Sequence, residues 1–205
     1  MPSNREGKVF WGIKKAYIAI ATIASDGSAT FGSPREIPGA KSLTMTPQGE
    51  SGYYYADDIE YFDLQSNEGY EGNWEMARIL DVIKTDILGY VQDAKGVLYE
   101  NKNAEPVHFA LMFESTTDQR PTRYVYYNCT ASRPEQSHNT KEANIDPGTE
   151  TLPIISKPIY IPALDKWVAS GVTTKDTDDT VFNDWFEEVY VPTPEVTPGE
   201  VTPGT

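Results

Sequence analysis

The chain has 205 residues, with 31 acidic against 17 basic side chains and a formal net charge of −14 at pH 7. This length suffices to bury a core without disulfides or metals, and the single cysteine, Cys129, excludes a disulfide within the chain. The basic residues are scattered, with Lys14-Lys15 as their only adjacent pair, so tight binding to nucleic acid is disfavoured. The sequence contains no apolar run long enough for a membrane-spanning helix.

The N-terminal region predicts a β-hairpin, with strands at residues 9–24 and 29–31. Residues 16–24 (AYIAIATIA) follow two lysines and resemble the apolar core of a signal peptide. However, this stretch contains Tyr and Thr and leads into Asp26-Gly27, a strong hairpin-turn signal. We therefore favour a buried first strand over an export signal, and we expect the protein to be made and kept in a cytoplasm.

Residues 47–62 combine glycines, acids and aromatic rings in an unusual way. They follow a break at Pro34, Pro38 and Gly39 and a predicted strand over 40–45. Glycine permits turns, whereas Tyr and Ile favour extended structure, so the segment predicts a long hairpin arm. Because exposed aromatic area marks a surface that another molecule covers, we interpret the arm as an assembly element. Its candidate contact residues are five aromatics and four acids: Glu50, Tyr53, Tyr54, Tyr55, Asp57, Asp58, Glu60, Tyr61 and Phe62.

A short helix is predicted after the alternating residues 73–79. Asp81 is placed to cap its N-terminus, and Gly89 is placed to end it. An apolar stripe runs along one side and comprises Val82, Ile83, Ile87 and Leu88. We expect this helix to cover one face of a sheet.

The second half of the chain predicts more strands and another helix. Residues 107–114 and 123–131 form a strand pair joined by a turn over 117–121, and residues 133–148 form a polar loop. Prolines at 153, 158 and 162 indicate an edge or irregular strand over 150–161. Residues 177–186 predict a helix that places Val181, Phe182, Trp185 and Phe186 on one side, followed by a final strand over 187–191.

The composition changes at Pro192. Glu195-Val-Thr-Pro-Gly199 is repeated as Glu200-Val-Thr-Pro-Gly204, a spacer with nothing to bury. We therefore divide the chain into a folded domain at 1–191 and a linker or tail at 192–205, which we interpret as a tether for a further domain.

Residues that could support catalysis or metal binding have simpler interpretations. His108 lies in an alternating strand, where a packing or hydrogen-bonding role is favoured, and His138 lies in a polar loop. The acids at 176, 178 and 179 can bind a cation weakly, but a helix cap explains them more simply. Metal-ligand spacings, nucleophile elbows and phosphate-binding glycine loops do not occur in the sequence. We expect Cys129 to pack as a small apolar residue, and we predict neither enzymatic activity nor a cofactor or metal.

Short motifs spread over residues 8–192 form an ordered set that carries a family resemblance. They are Asp26-Gly27, Ile37-Pro-Gly-Ala40, Pro47-x-Gly49, Tyr55-Ala-Asp57, Gly69-Tyr-Glu-Gly72, Leu88-Gly89, Phe109-Ala-Leu-Met-Phe113, Tyr127-Asn-Cys-Thr-Ala-Ser-Arg-Pro134, Glu150-Thr-Leu152, Trp185-Phe186 and Val189-Tyr-Val-Pro192. Each motif is weak alone. Taken as an ordered set, these motifs make the chain resemble the major tail proteins, or tail-tube proteins, of long non-contractile-tailed bacteriophages that infect Gram-positive bacteria.

The resemblance implies a β-sandwich or barrel-like domain with a flanking helix. It also implies subunits without enzymatic activity or cofactor, which form hexameric rings stacked into a tube with a β-lined channel. The implied partners are further copies of the chain, a tape-measure protein, and tail-tip and tail-terminator proteins. Double-stranded DNA passes transiently without specific binding, and no membrane is involved. The implied location is the virion tail, after assembly in the host cytoplasm. Some relatives carry an immunoglobulin-like domain at the position of the 192–205 spacer.

Two other functions fit parts of the sequence. A surface carbohydrate-binding β-sandwich would use Tyr53–Tyr55 and Tyr61 to stack on sugars, with the Pro/Thr tail as a stalk, but the expected lack of an export signal disfavours it. A glycoside hydrolase would use Asp57 or Glu60 as its acid. In a chain with 31 acids, such carboxylate pairs arise by chance, and an arm tip is a poor place to raise a pKa.

Overall fold

The computed structural model describes residues 9–49, 51–56, 59–117, 119–136 and 148–194. Over these ranges the chain is mainly β, as predicted, with fifteen strands and two short helices. The strands are β1 (Phe10–Ile23), β2 (Ala29–Phe31), β3 (Arg35–Ile37), β4 (Ala40–Gln48), β5 (Ser51–Ala56), β6 (Ile59–Gln65), β7 (Gly69–Met76), β8 (Val91–Gln92), β9 (Leu98–Tyr99), β10 (His108–Thr117), β11 (Thr122–Ala131), β12 (Glu150–Lys157), β13 (Ile159–Ile161), β14 (Lys166–Val168) and β15 (Ser170–Val172). The helices are α1 (Asp81–Asp86) and α2 (Asp179–Asp184).

Nine strands form one antiparallel sheet in the order β2-β1-β10-β11-β12-β7-β4. In addition, β3 pairs with β1 beside β2, and β15 pairs with β11 beside β12. The remaining strands form the hairpins β5–β6, β8–β9 and β13–β14. The sheet is open, because β4 at one end and β2 and β3 at the other are not hydrogen-bonded to each other in the described part of the chain.

The central strands are buried on both faces. In β10, the run Phe109-Ala-Leu-Met112 is fully buried, which is typical of a strand covered on two sides. Phe109 and Leu111 belong to a core with α1 and with strands β7 and β12. Ala110 and Met112 belong to a second core, formed with β13 and the segment that contains α2. The chain thus covers one face with α1 and the other with its C-terminal elements.

Helix α1 lies where the sequence places it, but its start differs from the prediction. Asp81 does not cap the helix: the N-cap residue is Leu80, whose carbonyl already accepts bonds from the amides of Ile83 and Lys84. Asp81 is therefore inside the first turn, where a negative charge suits the helix dipole. Gly89 follows the helix with φ +69°, as its predicted terminating role requires.

One strand prediction is partly confirmed and another is wrong. The segment over 150–161, predicted as an edge or irregular strand, is irregular, since it is divided at Pro158 into β12 and β13. However, β12 is not an edge strand, because it pairs with β7 on one side and with β11 on the other. Pro153 is tolerated because the β11 ladder ends at Ile154, one residue away. Residues 187–191 form no strand, since turn hydrogen bonds continue after α2 from the amides of Glu187 and Glu188 to the carbonyl of Asp184.

Arginine side chains fix α2 against the β10–β11 hairpin. Arg123 Nε lies 2.9 Å from Glu114 Oε2, and these side chains are only 9% and 6% exposed. The Arg123 guanidinium lies 3.9 Å from the ring centroid of Phe182 and donates to the carbonyl of that residue. Arg120 stacks on the same ring at 3.8 Å. A buried charge pair therefore joins the sheet to the C-terminal segment, and its stability depends on both partners being present.

Removing one partner of this pair should cost far more than removing a partner of an exposed pair. We expect Glu114→Ala to lower the free energy of unfolding by about 3–5 kcal/mol, because it leaves Arg123 charged and buried. The matched control is Glu100→Ala, since Glu100 pairs with Arg133 at 2.6 Å while both side chains are about half exposed. That change should cost less than about 1 kcal/mol. Urea unfolding of both variants measures the two losses in the free energy of unfolding. Equal losses would contradict a buried, mutually dependent Arg123–Glu114 pair.

Candidate assembly surfaces

The hairpin arm predicted from the sequence is confirmed in its backbone. Strands β5 and β6 connect β4 to β7 and pair with each other rather than with the main sheet. The pairing places Tyr54 opposite Phe62 and Tyr55 opposite Glu60, with a register shift between the two tyrosines. The arm is therefore a separate two-stranded extension of the sheet.

The nine candidate residues of the arm fall into two groups. Glu50, Asp57 and Asp58 lie outside the described residues. The other six lie on the paired strands β5 and β6: Tyr53, Tyr54, Tyr55, Glu60, Tyr61 and Phe62. The structure thus brings these six into one hairpin, while their contacts with other subunits stay a prediction.

Glycines allow the close backbone approaches at the base of the arm. Gly69 has φ +115°, and a Cβ atom built on it would lie 2.0 Å from the carbonyl oxygen of Ser156. A Cβ atom on Gly49 would lie 1.9 Å from the carbonyl oxygen of Ser66. Both distances are impossible for a side chain, so these positions require glycine. The two glycines therefore fix where the arm leaves the sheet.

The ends of the sheet provide a second candidate surface, which sequence reasoning missed. Among the described strands, β4 pairs with β7 alone, and a row of backbone groups along its other side has no strand partner. Near its start, β4 is separated from β1 by a groove of about 450 Å³ lined in part by Ile13, Leu43 and Phe113. Near this groove, the pairing of β1 with β10 has two register shifts. Such shifts bend a strand, and here they lie beside the gap between β1 and β4. Residues 44–48 lie beyond the groove lining.

One face of β4, β7 and β12 forms a polar surface with no covering layer among the described residues. Side chains on these strands alternate, with Trp74, Met76, Leu152 and Ile154 buried in the core. We call the opposite side the polar sheet face; its main residues are Thr44, Thr46, Gln48, Glu71, Asn73, Glu75, Thr151, Ile155 and Lys157. All except the half-buried Glu75 are exposed. This face is available to line a cavity between subunits.

Glu75 ties three segments together on the polar sheet face. Its carboxylate accepts hydrogen bonds from Lys41 Nζ at 2.8 Å, from Ser42 Oγ at 2.9 Å and from Thr149 Oγ1. These bonds, with that from Lys41 as the largest cause, lower the pKa of Glu75 to about 2. The carboxylate therefore stays charged well into the acid range and links β4, β7 and the start of β12.

The other candidates from the sequence have structural roles. His108 Nδ1 lies 2.6 Å from Asn128 Oδ1, which confirms the hydrogen-bonding interpretation. Cys129 is fully buried, and burial raises the pKa of its thiol to about 12, so it packs as an inert residue. Asp178 accepts a bond from the Thr180 amide and caps α2, as the simpler interpretation of the acid cluster predicts.

In the described part of the chain, no group of three or more His, Cys, Asp or Glu side chains is placed to hold a metal ion. The helices in the same part of the chain are too short and too polar to cross a membrane. What the geometry offers instead is an open sheet, a protruding hairpin and a polar face. These features are surfaces that a neighbouring molecule can contact.

Comparison with known protein families identifies the family of this chain. The family described as phage tail tube protein matches residues 2–198. Because this match spans nearly the whole sequence, the chain belongs to the phage tail tube protein family, and the resemblance noted in the sequence is confirmed. The protein is a structural component of the virion tail. No curated protein matches the chain. Family membership favours a structural role over the carbohydrate-binding and glycosidase alternatives.

The low pKa of Glu75 predicts how stability changes with pH. Its pKa is about 2 in the folded protein, against about 4.3 for an unperturbed Glu. Since the folded value is lower, Glu75 stabilises the fold above about pH 4.3, and this contribution is lost as the pH falls towards 2. Glu75→Gln should therefore show a smaller fall in the free energy of unfolding across this interval than the parent. Glu71→Gln, on the same face, is the control; identical pH profiles for Glu75→Gln and the parent would contradict the role.

Proposed function

We propose that the protein assembles into hexameric rings that stack into the tail tube, and that the acidic channel of the tube conducts DNA during genome delivery. The observation that carries this proposal is an open sheet with a protruding arm in a chain of the phage tail tube protein family. The number of six subunits in each ring is implied by the family resemblance of the sequence. The structure supplies the surfaces that such an assembly needs.

Ring formation uses the two ends of the sheet. β4 lies at one end, and the three-residue strands β2 and β3 lie at the other. When unlike patches of identical subunits meet, the contact repeats and can close into a ring. Pairing between subunits satisfies backbone groups that otherwise remain exposed on an edge strand. Each subunit thereby completes the sheet of the next.

Ring stacking uses the arm. Its five aromatic residues offer apolar area to bury against a neighbouring ring, and its four carboxylates suit the polar rim of such a contact. β5 and β6 have no partner in the main sheet of their own subunit. The aromatic residues Tyr53, Tyr54, Tyr55, Tyr61 and Phe62 are therefore the proposed inter-ring contacts, with Glu50, Asp57, Asp58 and Glu60 around them.

The polar sheet face lines the channel. A domain of this length is about 40 Å across from compact-globule scaling. Since B-DNA carries one charge per ~1.7 Å, each ring would surround on the order of 20 phosphates. Carboxylates such as Glu71 repel these anions and let the duplex slide, whereas lysines hold them in place, and Lys157 is an exposed lysine on this face. The tape-measure, tail-tip and tail-terminator proteins are the proposed partners besides further copies.

Deleting the arm tests its role in ring stacking. Removing residues 50–60 should leave folded subunits that fail to extend into tubes, because neighbouring rings lose their main apolar contact. Circular dichroism reports folding, and negative-stain electron microscopy reports tubes. The matched control removes the exposed turn of the β8–β9 hairpin, residues 93–96, and should leave assembly intact. Tubes of normal length from the arm deletion would reject the role.

Reversing charge on the polar sheet face tests the conducting channel. Thr46 and Glu71 are cross-strand partners, so Thr46→Lys with Glu71→Lys adds a compact positive patch to each subunit. We expect tubes to form but DNA ejection, followed with a fluorescent dye, to slow several-fold because lysines hold phosphates. Asn103→Lys with Glu105→Lys, on an exposed loop, is the control. Unchanged ejection kinetics in the face variant would count against the proposed channel wall.

A further inference from the structure

An open cavity of about 490 Å³ lies at the C-terminal end of the fold, formed by α2 and the residues that follow it. Its apolar lining includes Val181, Trp185, Tyr190 and Val191, and Asp184 and Glu188 add carboxylates. Val191 is 39% exposed, which is high for a large apolar side chain next to a core. The cavity is far from the arm in sequence, and no part of the proposed tube assembly uses it.

Two aromatic side chains, Trp185 and Tyr190, belong to the lining of this cavity. The rings of Trp185 and Tyr190 are stacked, with centroids 5.6 Å apart and planes inclined by 18°. The indole Nε1 of Trp185 is buried and has no hydrogen-bond partner among the described residues. Because Trp185 is only 3% exposed, this donor lies inside the fold and not at the surface of the cavity. Grooves lined by aromatic side chains are the surfaces on which extended, proline-containing segments dock.

The chain itself supplies such a segment beside the cavity. Thr193 is part of the lining, and residues 195–205 begin two positions later. They contain Glu195-Val-Thr-Pro-Gly199 and its repeat Glu200-Val-Thr-Pro-Gly204. Eleven residues in an extended proline-type conformation span up to about 34 Å, at ~3.1 Å each. A reversal at the first of the two glycines can therefore return the second repeat to the cavity.

We propose that residues 200–203 of the tail dock in this cavity of their own chain. Val201 and Pro203 pack against the apolar lining at Val181, Tyr190 and Val191, beside the ring of Trp185. Covalent attachment favours the contact, because it holds the segment at an effective concentration in the millimolar range. The tail is then part of the domain surface, which differs from the free spacer predicted from composition. Docking of the tail does not require ring or tube assembly.

Charge makes the proposed contact dependent on salt in a defined direction. Asp184 and Glu188 are exposed beside the cavity, and the docking repeat begins with Glu200. Like charges repel, so the glutamate stays in water while Val201 and Pro203 face the rings. Added salt screens this repulsion, and docking should strengthen as the salt concentration rises. A basic partner in the same cavity would show the opposite dependence.

The two identical repeats provide a matched experiment by NMR on the dilute, full-length, isotope-labelled protein. We expect the Val201 methyl resonances to be shifted upfield by the aromatic rings. Val201→Thr with Pro203→Ser should remove the contact and move the Trp185 indole resonance, whereas Val196→Thr with Pro198→Ser should not. The indole of Trp167, which is 63% exposed on β14, is the internal reference. Tail changes of this kind leave the folded core intact.

Four results would overturn the proposal. The first is Val201 methyl shifts typical of an unstructured chain, and the second is a Trp185 resonance that the second-repeat variant leaves in place. The third is an upfield shift that grows with protein concentration, because the occupant would then belong to a second copy. The fourth is a shift that weakens as salt is added. An upfield shift that is independent of concentration and stronger in salt supports docking of the chain's own tail.

Discussion

Backbone groups along the outer side of β4 have no strand partner in the described part of the chain. The proposed assembly of subunits depends on this open edge. The nine strands follow one another as a curled sheet, yet β4 and β1 are separated by a groove rather than paired. The bulges in β1 coincide with that seam. An unpaired edge is a hazard for a solitary protein and an asset for a subunit whose neighbour completes the sheet.

Burial on both faces of the central strands decides which surfaces remain for partners. Helix α1 covers one face, and the C-terminal segment with α2 covers the other, held by the buried Arg123–Glu114 pair. Among the described residues, the polar sheet face and the edge of β4 remain uncovered, and the arm strands β5 and β6 pair only with each other. Because these surfaces differ in chemistry, we propose a different neighbour for each: a strand of the next subunit for the edge of β4, an adjacent ring for the arm and a passing polyanion for the polar sheet face.

Local features of the fold were predictable from the sequence, whereas long-range ones were not. Asp26-Gly27 predicts the β1–β2 turn, and the apolar stripe with Ile83 and Ile87 predicts α1. Both elements were predictable because each signal is contained in a few neighbouring residues. The inner position of β12 depends on pairing with β7, more than 70 residues earlier in the chain, and composition does not encode it. The hydrogen bonds of Glu75 likewise join residues brought together only by the sheet. The arm was identified from its composition, but its partners were not.

Hydrogen exchange of the backbone amides in β4 tests the central claim most directly. Amides along β4 point alternately towards β7 and towards the open edge. Those of residues 44–46 and 48 are compared in dilute subunits and in assembled protein, with the inner strand β10 as the protected reference. The amides that point away from β7 should exchange rapidly in the subunit and become as protected as β10 on assembly, whereas those bonded to β7 should be protected in both states. Equal exchange of the outward-pointing amides in both states, with assembly confirmed by electron microscopy, would contradict a sheet completed by its neighbours.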